Sequence, residues 1–165
     1  MKTTEKETIK AGTPAKAEVM HFEIDIDASA GKVYQTMLDK KKYSEWTAVF
    51  NATSHFEGSW KKGAKILFLG TDTDGTIGGM VSRIKENIPN RFVSIEHLGM
   101  VQAGKEIMSG DKVDQWAGAH ENYSFTENNG HTHLKVDLDV AEEWKVYFTQ
   151  MWPAALNKLK TICEE

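Results

Sequence analysis

From Trp60 to Val140 apolar and polar residues alternate in short runs, and the pattern then changes period. Between Glu142 and Cys163, residues Trp144, Phe148, Trp152, Leu156 and Leu159 recur at helical spacing. A lone helix cannot bury such a stripe by itself. Most of the alternating runs are apolar on one face only, so the economical arrangement is an α+β fold in which one curved antiparallel sheet wraps around one long helix. Pro153 falls inside the helical pattern, where it removes a backbone hydrogen bond and crowds the preceding turn. A kink is therefore expected near Gln150 to Trp152.

The same patterning places the other elements. Val19 to Asp27 alternates cleanly, with Met20, Phe22, Ile24 and Ile26 facing one way and His21, Glu23, Asp25 and Asp27 the other, and predicts a half-buried first strand. Ser29 can cap a following helix whose Val33, Tyr34, Met37 and Leu38 share one side. A second short helical turn carries Tyr43 and Trp46. Strands are predicted near Thr53 to Phe56, Ala64 to Leu69, Thr76 to Glu86 and Arg91 to Leu98, with turns at Gly58 to Gly63 and Asn87 to Asn90. These connections are too short to hold crossover helices, which excludes a parallel sheet for this stretch.

The sharpest local signal is Asn129-Gly130, because a two-residue hairpin needs positive φ at both turn positions. That turn pairs Phe125 with Leu134, Tyr123 with Val136 and Glu121 with Leu138 on one face. Thr126, Ser124 and Asn122 then meet His133, Lys135 and Asp137 on the other. One face is apolar and the other polar, as a half-buried ribbon requires. The register also isolates Glu121 as a carboxylate on the apolar face.

Composition narrows the function classes. A chain of 165 residues fits one domain, here residues 18–165. Residues 1–17 mix Lys, Glu and Thr without an apolar core segment, and are expected to form a disordered tail that is neither secretory signal nor anchor. Cys163 is the only cysteine, so no disulfide forms within the chain and a reducing cytoplasm is the expected location. A net charge of −4 with both signs interspersed carries no basic footprint for nucleic acid. No run is long and apolar enough to span a membrane. His131 and His133 project from the predicted solvent face without a third ligand, so no metal site is expected. Gly-x-Ser-x-Gly, phosphate-loop and dinucleotide patterns are missing, and no cofactor is implied.

Strand, two helices, strand meander and long C-terminal helix is the helix-grip order, and in this the chain resembles START-like proteins. More narrowly, Trp46-Thr47-Ala48-Val49-Phe50, Gly79-Met80-Val81 and Trp152-Pro153 with Leu156 resemble bacterial SRPBCC proteins of the AHSA type. Those are grouped with the C-terminal domain of the activators of heat-shock-protein ATPase. The resemblance spans about residues 18 to 163. It implies a pocket between the sheet and the final helix, open where the second helix meets one or two loops. Trp46, Phe50, Tyr123, Phe125, Phe148, Met151 and Trp152 are then the expected lining, although each also fits plain core packing.

Polar groups on the inward face are more telling. Glu121 needs a partner or a proton if it is buried. His97 supplies one if Val93, Ile95 and His97 point inward; the opposite assignment, with Phe92, Ser94, Glu96 and Leu98 inward, fits the alternation equally. A Glu121 to His97 pair reads either as an acid/base dyad or ligand-orienting pair, or as an internally satisfied polar contact. Met100 to Gly118 is long and carries Gly104, Gly110 and Gly118, so a lid is expected there. One helical turn over Asp111 to Trp116 would tuck Trp116 against the pocket mouth.

These expectations favour a binding protein that sequesters or presents a small apolar molecule over an enzyme. The alternatives are a cyclase- or hydratase-type enzyme, in which Glu121 moves protons with His97 or Tyr123, and a co-chaperone-like module whose chaperone partner rests on analogy alone.

Overall fold

A computed structural model of the chain describes residues 18–165, so the tail expected over 1–17 lies outside the described residues. The first strand, β1 (Glu18–Ile26), leads into two short helices, α1 (Ala30–Leu38) and α2 (Lys40–Trp46). A meander follows: β2 (His55–Gly58), β3 (Lys65–Thr71), β4 (Ile77–Ile88), β5 (Phe92–Gln102) and β6 (Lys105–Ile107). After a single helical turn, α3 (Asp111–Asp114), come β7 (Ala119–Asn128), β8 (His131–Val140) and the long helix α4 (Lys145–Glu164). All pairings are antiparallel in the order β1-β8-β7-β5-β4-β3-β2, with β6 added beside β5. This is the helix-grip arrangement.

Helices α1 and α2 each begin where a side chain can accept an orphan N–H. Ser29 accepts from Lys32 N ahead of α1, and Asp39 accepts from Lys42 N ahead of α2. The helices bury Val33, Met37 and Trp46 against a core that continues through Ile26, Ile66, Ile84, Val93, Ile95, Leu134 and Val136. From α4 this core receives Trp152, Ala155, Leu156, Leu159, Ile162 and Cys163. The buried stripe therefore starts at Trp152, about two turns later than its spacing suggested, with Phe148 partly buried against it. Trp144 lies in a 3₁₀ turn ahead of the helix and is 51% exposed, its ring leaning on Tyr147 and Phe148 of the first turn of α4. Helix α4 runs unbroken through Pro153.

The β7–β8 hairpin has the predicted register throughout, from Glu121 opposite Leu138 to Asn128 opposite His131. Asn129 and Gly130 take φ of 54° and 81°, the left-handed pair that such a turn requires. Two expectations are corrected and one open choice is resolved. The strand predicted at Thr53 to Phe56 starts at His55, because Asn51 Oδ1 holds Thr53 in a local turn through both its N–H and its hydroxyl. The open alternative for β5 resolves in favour of Val93, Ile95 and His97 inward, with the first two fully buried. The first part of the segment expected as a lid, Met100 to Ile107, is a strand pair instead: β5 continues to Gln102 and turns at Ala103 and Gly104, at φ 51° and 76°, into β6. Alanine in the left-handed position conceals that hairpin, since Asn or Asp is the usual signal there.

On the outer face β1 and β8 exchange ion pairs. His133 sits between two carboxylates, with Nδ1 2.7 Å from Asp25 Oδ1 and Nε2 2.8 Å from Glu23 Oε1. Hydrogen bonding to Asp25, then to Glu23, raises the His133 pKa above its ordinary value. Inside the sheet, Gly79 adopts φ 148°, where an added Cβ would lie 1.8 Å from the Phe68 carbonyl oxygen.

Two outcomes follow. Gly79→Ala is expected to destabilise the fold by about 3 kcal/mol or more, because the obstacle is backbone on the paired strand. Gly130→Ala meets no atom within 4 Å and should cost only about 1 kcal/mol for its positive φ; urea unfolding midpoints compare the two. For His133, the folded state holds the proton more tightly than the unfolded chain. The stabilisation is thus complete below pH about 6.5 and fades as pH rises through the raised folded value. The three side chains are 43%, 85% and 56% exposed, so solvent screening keeps the effect small. An NMR titration should place the imidazole midpoint above that of a histidine in an unfolded peptide, and Glu23→Gln with Asp25→Asn should return it there.

Candidate functional site

The hairpin register places Glu121, Tyr123 and Phe125 on the inward face of β7, and the β5–β7 pairing sets Ile95 opposite Glu121. His97 lies two residues further along β5 on the same face. Its Nε2 is 3.1 Å from Glu121 Oε1, and its Nδ1 is 2.7 Å from Ser82 Oγ on β4. The Tyr123 hydroxyl donates to Glu121 Oε2. Four side chains from three adjacent strands therefore form one continuous polar relay, Ser82 to His97 to Glu121 to Tyr123. Ser82 is fully buried, whereas the side chains of His97 and Glu121 keep 13% and 22% of their surface exposed. The middle of the relay is reachable, and its ends are sealed.

Aromatic rings surround it on both sides. On one, Phe68 meets the His97 ring edge-on with centroids 6.2 Å apart, and Tyr43, Phe56 and Trp60 pack around Phe68 and one another. On the other, Trp152 is the hub: Phe22 stacks on it at 6.0 Å, and Phe50, Tyr123 and Trp46 contact it at 5.2, 6.1 and 6.2 Å. Phe50 also meets Phe148 at 6.4 Å. Desolvation, and then the Glu121 charge, pushes the phenols of Tyr43 and Tyr123 well above their ordinary pKa. Both stay protonated, and the Tyr123 hydroxyl is a donor to that carboxylate.

Among the described residues, two buried side-chain polar atoms lack a hydrogen-bond partner, Nε1 of Trp60 and Nε1 of Trp152. The Trp46 indole, by contrast, donates to Met37 O at 3.1 Å. A buried donor without a partner costs about 1–3 kcal/mol, so natural proteins rarely leave one unmatched. Beside Trp60 a cleft of about 440 Å³ opens to solvent, with Tyr34 and Asn87 in its wall. Asn87 braces this rim, accepting from the Tyr34 hydroxyl at 2.7 Å and donating to Trp60 O at 2.8 Å. Trp60 thus separates the cleft from the rings that reach His97.

Of the residues expected to line a site, Trp46, Phe50, Tyr123, Phe148 and Trp152 come together with Glu121 and His97. Met151 is half-buried on α4 beside Trp152. Phe125 lies further along β7, where it packs edge-on against Tyr34 of α1. Trp116 stands apart from the Trp152 cluster, half-buried, with its indole N–H donating to Lys112 O of its own turn at 2.6 Å. The reading of the chain missed Ser82, Tyr43 and Phe68. Ser82 had a signal, a hydroxyl at the apolar parity of Met80 and Ile84. Its contact with His97 had none, because a β-bulge between Val81 and Ser82 shifts the register. Among the described residues no group of three or more His, Cys, Asp or Glu side chains is arranged to hold a metal ion, and no helix is long and apolar enough to cross a membrane.

The model of a protein family described as "Activator of Hsp90 ATPase homolog 1-like protein" matches residues 27–164. Among solved structures, the chain is similar to the Aha1 dimer from Colwellia psychrerythraea, with TM-score 0.66, 19% identity, and 89% and 96% of the two chains covered. It is also similar to CalU16 from Micromonospora echinospora, with TM-score 0.63, 16% identity, and 89% of this chain and 76% of that one covered. DynU16, a protein of the dynemicin biosynthetic locus, gives TM-score 0.61 at 14% identity over 87% of this chain and 46% of its own. Identities this low carry the fold alone. No curated protein sequence matches the chain.

Proposed function

The chain belongs to the activator of Hsp90 ATPase homolog 1-like family, and from that premise we propose that it binds a small, largely apolar molecule between the curved sheet and α4. The observation that carries this reading is the partly accessible Glu121 carboxylate, held by His97 and Tyr123 inside a shell of aromatic rings. A carboxylate on an otherwise apolar inward face costs stability unless it is hydrogen-bonded, and a few fixed polar groups among apolar walls is the usual composition of a small-molecule site. Trp46, Phe50, Phe148 and Trp152 form the apolar wall in this reading, and the Glu121 relay orients the ligand.

A second reading has one specific observation behind it. Glu121 and His97 are within proton-transfer distance of each other, and Ser82 braces the far side of the imidazole, so the same pair could move a proton on a bound molecule in a cyclase- or hydratase-type reaction. The relation to CalU16 and to the dynemicin-locus protein is compatible with either reading.

Native mass spectrometry of protein isolated from its own cells tests the first reading. A copurifying small molecule is expected in the wild type and is expected to be lost or reduced at least about tenfold in Glu121→Gln and His97→Ala. Protein that carries no ligand, or variants that retain it unchanged, would count against it. The same extract separates the second reading: prolonged incubation of the recovered molecule with wild-type protein should return it unaltered if the protein only binds, and transformed if it catalyses.

A further inference from the structure

A hydrogen-bond count around Glu121 narrows the chemistry of the ligand, resting on the binding reading above. Ser82 is fully buried and its hydroxyl contacts His97 Nδ1, so that hydroxyl's proton is directed to the imidazole nitrogen. Nδ1 then acts as acceptor, and the ring proton resides on Nε2, facing Glu121 Oε1. Tyr123 directs its own proton to Glu121 Oε2. All three donors of the relay are thus committed to interior partners.

What remains is acceptor capacity. Each carboxylate oxygen can accept about two hydrogen bonds and here receives one from the relay, and Glu121 is the relay member with the largest exposed share, 22% of its side chain. The complementary deficit lies on a ring packed against Tyr123. Trp152, 4% exposed and in contact with Tyr123 at 6.1 Å, has an indole N–H with no acceptor. One side of this region lacks a donor, and the other lacks an acceptor.

We infer that the site selects an apolar molecule bearing an O–H or N–H donor for Glu121 and a carbonyl or ether oxygen for the Trp152 indole. The aromatic shell supplies affinity without direction, and these two groups supply orientation. A hydrocarbon of the same shape would leave both the spare carboxylate lone pairs and the indole N–H unmatched on entry.

Three probes of similar shape test this by calorimetric titration: naphthalene, 2-naphthol as donor, and 2-acetylnaphthalene as acceptor. Each affinity in a variant is compared with the wild-type value for the same probe, and circular dichroism confirms that the variants fold. In Glu121→Gln, which replaces a charged acceptor with a neutral one, 2-naphthol is expected to weaken by about tenfold while naphthalene and 2-acetylnaphthalene change little. Trp152→Phe keeps an aromatic ring and removes the N–H, so 2-acetylnaphthalene should weaken by about fivefold to tenfold and 2-naphthol much less. That crossed pattern supports the assignment. Equal losses for all three probes in either variant would mean that the residue only packs, and would overturn the assignment while leaving the binding reading in place. If no probe binds the wild type, the binding reading falls and the assignment falls with it.

Discussion

The covering of α4 is the constraint on which the rest of the structure depends. Its buried stripe, from Trp152 to Cys163, needs apolar surface on several sides, and no single hairpin is wide enough to supply that. The sheet meets the need by joining distant parts of the chain. β1 pairs with β8 along its whole length, so the first strand of the fold lies next to the strand that leads into the helix. α1 and α2 then pack against both the helix and the sheet, and Trp46 reaches Trp152. Most of what holds the helix is therefore far from it in sequence. Such a fold acquires its core late, once long loops have closed.

Gripping a helix leaves a geometric residue. A curved sheet and a helical cylinder cannot be complementary everywhere, and aromatic rings occupy the region around Trp152 where the two surfaces meet. Into this region the inward face of β7 brings a carboxylate. Glu121 is tolerated because partners on β5 and on its own strand satisfy it, and Ser82 on β4 satisfies the imidazole in turn. The relay is thus part of the fold's polar satisfaction and the means by which the interior presents a charge. Both descriptions apply to the same atoms.

Much of the fold was legible in the chain, and the reasons are local. The Asn129-Gly130 turn requires left-handed backbone at two successive positions, which fixes one register and places every side chain of β7 and β8 on a known face. Glu121 was found that way. The lining around Trp152 was legible as a helical stripe, although the spacing could not say that Trp144 would fall outside the grip. What was not legible depended on irregularities. The Ala103-Gly104 hairpin lacks the residue that usually marks its turn, so a strand pair read as a lid. Ser82 sits beside His97 because one extra residue enters β5 there, and nothing in alternation alone announces a bulge. The inward face of β5 could be chosen only with its neighbours in place.

That extra residue has a wider meaning. Along β5, Ile95 and His97 face the helix, while Val101 belongs to a separate apolar group with Leu69 and Val81 on the outer side of the sheet. Strict alternation would put positions 97 and 101 on the same face. The register step, which pairs Ser82 with His97 and then Val81 with Gly99, places them on opposite ones. One strand thereby serves two hydrophobic surfaces that share no side chains. The outer surface can vary without altering the inner one, but only while the count of residues between His97 and Val101 is kept. In this fold the length of that short segment, more than its composition, separates interior chemistry from exterior shape.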